Sequence, residues 1–127
     1  METEEFVIFS TIKPAVSSLH ALVCTKKHVQ NLTSLSGRSD ADLVRRMVEA
    51  GRAVLKQQGM DASDAQFCFH KPPYNSIDHL HLHVIATPSK MSVKNMIKYF
   101  VGTYWCCDAQ ELIRELERPV IKASTRV

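Results

Sequence analysis

No stretch of this 127-residue chain approaches the roughly 20 consecutive apolar residues that a membrane-spanning helix needs. Met1 does not open onto a basic flank and an apolar run either. Glu2, Glu4 and Glu5 follow it, which does not read as a secretory leader. Cysteine is sparse and poorly spaced for crosslinks: Cys24, Cys68, Cys106 and Cys107 form neither a C-x-x-C pair nor a regular disulfide framework. Buried thiols in a reducing compartment are expected, and with them a cytoplasmic or nuclear location. An excess of one charge is missing too. The 16 Lys and Arg against 13 Asp and Glu leave a net +3, with the two signs mixed along most of the chain. Such a balance does not point to a dedicated nucleic-acid surface, and it is compatible with an anionic small molecule. No repeat or low-complexity tract is visible. With 45% hydrophobic residues, the length suits one compact domain and leaves no room for a second.

The elements that can be read make an α+β order. Phe6-Val-Ile-Phe9 is a short apolar strand, and His20-Ala-Leu-Val-Cys24 is a second, closed by the basic turn Thr25-Lys26-Lys27-His28. Leu43, Met47, Ala50 and Val54 beside Val44, Val48, Gly51 and Leu55 make the broad stripe of a long amphipathic helix, started by Ser39 and Asp42 and stopped near Gly59. Ala65-Gln-Phe-Cys-Phe69 alternates as a strand, and Pro72-Pro73 turns it toward the next strand as an antiparallel hairpin. Val93, Met96, Ile97, Phe100 and Val101 predict a second helix ending near Gly102, its lysines Lys90, Lys94 and Lys98 outward. Asp108 with Glu111 caps a third helix, whose apolar edge is Leu112, Ile113 and Leu116 and whose end is Pro119. The domain is expected to span 1–118, followed by a tail at 119–127. The expected architecture is helices packed on an antiparallel sheet.

The densest chemistry lies in His79-Leu-His-Leu-His-Val-Ile85. A strand repeats its side-chain direction every two residues, so His79, His81 and His83 would share one face and Leu80, Leu82 and Val84 the other. Three readings compete. A His-x-His strand can supply zinc ligands, with Asp78, His70 or His20 brought in by folding. A half-buried histidine can simply be a hydrogen-bonded structural residue. Or one neutral imidazole, with a pKa near 7, attacks phosphorus to form a phospho-histidine that water hydrolyses, while its neighbours donate hydrogen bonds to phosphate oxygens. Ser76 would then supply a hydroxyl near the entrance of the strand.

The segment His79–Ile85 matches the histidine triad signature, His-φ-His-φ-His-φ-φ, at every position. The similarity extends through Phe9-Ser-Thr-Ile-Lys-Pro14, His20-Ala-Leu-Val, Lys26-Lys27-His28, Phe69-His-Lys-Pro-Pro-Tyr-Asn-Ser-Ile-Asp78 and Thr103-Tyr-Trp105. The chain resembles the histidine triad superfamily, most closely the third type of histidine triad nucleotide-binding protein, a relative of the aprataxin catalytic domain. The resemblance implies a histidine triad-like fold and a hydrolase or nucleotidyl transferase acting on adenosine 5′-phosphoramidates or related adenylates, AMP-lysine included. It further implies that His81 is the adenylylated nucleophile and that His83 and Ser76 contact phosphate or leaving group. His79 and His20 would orient the site, Asn75 would lie in the phosphate loop, and Phe9 and Ile12 would line the base pocket. No metal or cofactor is needed for that chemistry, and relatives commonly form homodimers. DNA-adenylate removal, dinucleoside polyphosphate hydrolysis and a catalytically weak nucleotide-binding module stand as alternatives.

Two departures carry expectations of their own. Thr11 stands where the family commonly has an aspartate that accepts from both ribose hydroxyls, and one hydroxyl oxygen cannot reproduce that grip. Many relatives also carry a leading helix, a strand and a zinc-binding cysteine pair ahead of the segment that begins here near Phe6. The dimer edge and part of the base pocket are therefore expected to differ.

Overall fold

In the computed structural model, which describes residues 1–10, 19–75 and 77–119, five strands form one antiparallel sheet. They are β1 (Phe6–Ser10), β2 (Leu19–Thr25), β3 (Ala65–His70), β4 (His81–Ala86) and β5 (Cys106–Asp108), in the spatial order β1-β2-β4-β3-β5. Helices α1 (Gly37–Gln57), α2 (Val93–Lys98) and α3 (Ala109–Glu117) complete the described fold. The expected α+β architecture, one long helix and shorter C-terminal helices on an antiparallel sheet, is the one found.

The main core lies on one side of the sheet. Ala41, Val44, Met47, Val48, Gly51, Val54 and Leu55 of α1 are buried, and they pack on Ala21, Val23, Leu82 and Val84 of the two central strands. The helix begins at Gly37, earlier than Ser39 and Asp42 signalled, because the Asp40 carboxylate accepts from the Ser36 amide at 2.8 Å and satisfies the turn before it. It ends before Gly59, whose φ of +71° turns the chain out of the helix. Gly51 lets α1 sit close to the sheet: a Cβ there would fall 2.7 Å from Val84 Cγ2 and 3.1 Å from Phe67 Cε1. Asp108 caps α3 as expected, accepting from the Gln110 and Glu111 amides, and Leu112 and Ile113 bury its inner edge.

Three expectations need correction. The histidine strand starts at His81, so His79 belongs to the preceding loop. The second helix is only six residues long, and its apolar stripe faces solvent: Val93 is 73%, Ile97 56% and Phe100 62% exposed. Side chains end this helix early. The carbonyls of Ile97, Lys98 and Tyr99 accept from Trp105 Nε1 (2.7 Å), His70 Nε2 (2.9 Å) and Gln66 Nε2 (2.6 Å), which pins its C-terminal end to the sheet. Tyr99 and Met91 are the residues buried instead. Third, the face carrying His81 and His83 is not open along its length. Its continuation, Ile85, is covered by a second small core of Cys68, Met91, Tyr99 and Cys106. Of the expected tail only Pro119 is described; the rest lies outside the described residues.

Candidate active site

Register brings the site together. In an antiparallel sheet, residues directly opposite point to the same face. His83 of β4 faces Leu22 of β2 and Cys68 of β3, while His81 faces Cys24. Side chains two residues along each neighbouring strand therefore complete the histidine face: His20 from β2 and His70 from β3. The ring centroid of His83 lies 5.1 Å from His20, 4.7 Å from His70 and 4.9 Å from His81, and the Tyr99 ring closes over His20, His70 and His83 at 4.9–5.4 Å. His20 Nε2 and His83 Nδ1 are hydrogen bonded at 2.9 Å. Among the described residues His83 Nε2, on the other side of the same ring, has no hydrogen-bond partner.

His81 and His79 are held by backbone carbonyls. His81 Nδ1 donates to the His79 carbonyl at 2.7 Å, and His79 Nε2 donates to the Thr25 carbonyl at 2.7 Å. A carbonyl can only accept, so each contacting ring nitrogen carries the proton. His81 is thereby fixed as the Nδ1–H tautomer, with its lone pair on Nε2. The three signature histidines thus divide: His81 and His83 stand in the cluster, whereas His79 brackets the loop against the end of β2 and packs on His28, with ring centroids 5.2 Å apart. Two of the three rings spend a nitrogen on a carbonyl, and among the described residues no three His, Cys, Asp or Glu side chains are arranged to hold a metal ion.

Burial sets the charge state of the cluster. It pushes His20 down to about 4 and His83 well below the ordinary imidazole value, with the positive charge of Lys98 and of neighbouring histidines adding to both. His70 is lowered for the same leading reason, partly opposed by its bond to the Lys98 carbonyl. Tyr99 is pushed up to about 12 by burial, so its phenol stays protonated. His20, His70 and His83 are therefore held in their neutral form at pH 7, which suits hydrogen-bond donation around His81.

A cleft of about 500 Å³ opens beside His81, floored by Val7 and Phe9 of β1 and Leu22 and Cys24 of β2, with Ile77 at its edge. Phe9 is 52% exposed at this floor. Asn75 lines a small pocket with His70, His79 and His81, and its Nδ2 donates to the Ile77 carbonyl and to Asp78. Thr11, Ile12 and Ser76 lie outside the described residues. Local sequence pattern assigns no site role to Tyr99 or Leu22, and offers His70 only as a metal ligand. His70 was legible in principle, because it alternates with Cys68 along β3. Tyr99 gave no signal, since the helical spacing assigned the inward positions to its neighbours.

A family model described as scavenger mRNA decapping enzyme C-term binding matches residues 1–99. The chain is 38% identical over 115 residues to the adenosine 5′-monophosphoramidase HINT3 of Xenopus tropicalis, covering 90% of this chain and 74% of that protein. To the Mus musculus protein of the same name it is 36% identical over 118 residues, covering 92% and 70%. The chain belongs to the histidine triad hydrolases. Solved structures agree on the histidine triad fold: a histidine triad protein from Clostridium difficile superposes with a TM-score of 0.60 at 24% identity, over 68% of this chain and 75% of that one. A HIT family hydrolase from Clostridium thermocellum gives 0.59 at 22% identity over the same shares. Membership makes the chain a nucleotide hydrolase.

Proposed function

We propose that this histidine triad hydrolase cleaves adenosine 5′-phosphoramidates and related adenylates, AMP-lysine among them, through an adenylyl group carried on His81. The observation that carries the reading is the 2.7 Å bond from His81 Nδ1 to the His79 carbonyl, which leaves the Nε2 lone pair to a ring that lines the cleft. The names of the HINT3 relatives, adenosine 5′-monophosphoramidases, supply the substrate class. The adenine would lie on the apolar floor of Phe9 and Leu22, with Ile12 joining it and Thr11 at the ribose.

In the first step His81 Nε2 attacks the α-phosphorus. The Nε2–P bond forms, the P–N bond breaks, and the leaving nitrogen takes up a proton from solvent water as it departs, a proton returned when the second water attacks. Water then attacks the adenylyl-histidine, releasing AMP and restoring the imidazole. His20 Nε2 and His83 Nδ1 share one proton at 2.9 Å; in the tautomer in which His20 donates, His83 carries its own proton on Nε2 and would offer it to a phosphate oxygen. Asn75 and Ser76 would serve the phosphate and the departing group, and His79 would hold the loop. A relationship to the aprataxin branch, a homodimer, and a cytoplasmic or nuclear location belong to the same reading.

The test is turnover. Purified protein incubated with adenosine 5′-phosphoramidate should release AMP in many equivalents per site. Nucleotide binding without any AMP release would reduce the protein to a binding module.

A further inference from the structure

Asp78 has no part in the chemistry just described, yet it is tied down by three carboxamides. Its Oδ2 accepts from Gln30 Nε2 at 2.5 Å, and its Oδ1 accepts from Asn31 Nδ2 at 3.4 Å and from Asn75 Nδ2 at 3.3 Å. Among the described residues no lysine or arginine pairs with it; the carboxylate is held by neutral donors, which keep it below its ordinary value, Gln30 first. The Gln30 and Asn31 bonds join the loop before β4 to the segment after β2, and the Asn75 bond ties the loop to itself. The loop is stitched again beyond Asp78, where the His79 ring reaches the carbonyl of Thr25 at the end of β2 and the Leu80 amide donates to the Val29 carbonyl at 2.7 Å.

The His79 carbonyl, which accepts the His81 Nδ1 proton, belongs to the peptide just after Asp78, the same peptide whose Leu80 amide bonds to Val29. We infer that Asp78 is a positioning residue: through Gln30, Asn31 and Asn75 it fixes the peptide whose carbonyl selects the reactive tautomer of His81. This rests on His81 being the nucleophile. An imidazole whose Nδ1 has no fixed acceptor can carry its proton on either nitrogen, and the form with the proton on Nε2 cannot attack through that atom. An Asp78 side chain that loses its three amides would leave that peptide held from its far side alone, by the Leu80 and His79 bonds, and divide His81 between the two forms. The Asn75 amide would lose one of its two acceptors in the same event.

The experiment uses the whole chain in three forms: wild type, Asp78→Asn, and the exchanged pair Gln30→Glu with Asp78→Asn, which restores a carboxylate–carboxamide contact with the roles reversed. Imidazole nitrogen resonances should report His81 as Nδ1–H in wild type, a mixture in Asp78→Asn, and Nδ1–H again in the exchanged pair. With a phosphoramidate substrate, kcat should fall between about tenfold and a hundredfold in Asp78→Asn, as expected for a misplaced reacting group. AMP affinity should move by less than about twofold, and the exchanged pair should recover most of kcat. An unchanged His81 tautomer in Asp78→Asn overturns the inference, and so does a loss of kcat that the exchange does not repair. If wild type forms no adenylyl intermediate, the functional reading falls and the catalytic role of Asp78 falls with it. The tautomer spectrum tells that outcome apart from a failure of the Asp78 contact alone.

Discussion

His81 Nδ1 lies 2.7 Å from the carbonyl oxygen of His79, two residues earlier in the chain. Because His79 has left the strand, its peptide turns toward the ring that follows, and the nucleophile is oriented by its own neighbour. Replacing that nucleophile should abolish the reaction without unfolding the protein. His81→Ala is expected to lower phosphoramidate turnover by roughly a thousandfold or more. The ring borders an open cleft that water can fill, so AMP binding and thermal stability should stay close to wild type. A variant keeping a tenth of the rate would assign the attack to another group.

Stability should depend on pH through the buried histidines. His20 is lowered to about 4 in the folded protein, and burial holds His83 well below its ordinary value too. Above pH 6.5 both folded and unfolded chains hold these rings neutral, and stability is fully present. As the pH falls below 6.5 the unfolded chain takes up protons that the folded one refuses, so stability is lost progressively down to about pH 4 for His20. Each pKa unit corresponds to about 1.4 kcal/mol, which makes the loss measurable. Urea unfolding at a series of pH values checks it; a flat profile between pH 6.5 and 4 would show that the rings titrate as freely folded as unfolded.

Gly51 tests the seating of α1. Alanine is the better helix former by about 1 kcal/mol, yet its methyl would meet Val84 and Phe67 at 2.7 and 3.1 Å. Gly51→Ala should therefore destabilise the fold, by a net of about 1–3 kcal/mol, read as a lower denaturant midpoint. A stabilised variant would mean that helix and sheet can separate without loss.

Much of this architecture was legible because the signals were redundant. The apolar stripe of α1, the alternation of β3 and the Asp108 cap are strong local signals, and each forms as its pattern predicts, the start of α1 apart. Failures came where tertiary bonds overrode local pattern. His79 fits the strand period but is drawn out by the Thr25 carbonyl. The spacing of Val93, Ile97 and Phe100 marks an inward stripe, yet Gln66, His70 and Trp105 anchor that helix by its backbone and leave the stripe in solvent. The His81 position in the site was readable from the signature. The roof formed by Tyr99 was not, because no local rule identifies a residue that is buried by what lies across the sheet.

Phe9 tests the cleft. Half-exposed on the outermost strand, it contributes little to the core, so Phe9→Ala should hardly change stability. If the adenine stacks there, AMP affinity should fall by roughly tenfold, in line with about 1–3 kcal/mol for an aromatic–base contact. Calorimetric titration of both proteins decides it; equal affinities would place the base elsewhere.

The most direct measurement is of the covalent intermediate itself. Wild-type protein mixed with an adenosine 5′-phosphoramidate, quenched within the first turnovers and digested, should yield a peptide spanning His79–Ile85 that carries one adenylyl group on His81, and His81→Ala should yield none. Turnover to AMP with no adenylyl peptide at any quench time, or the adenylyl group on a residue other than His81, would contradict a covalent mechanism centred on this ring.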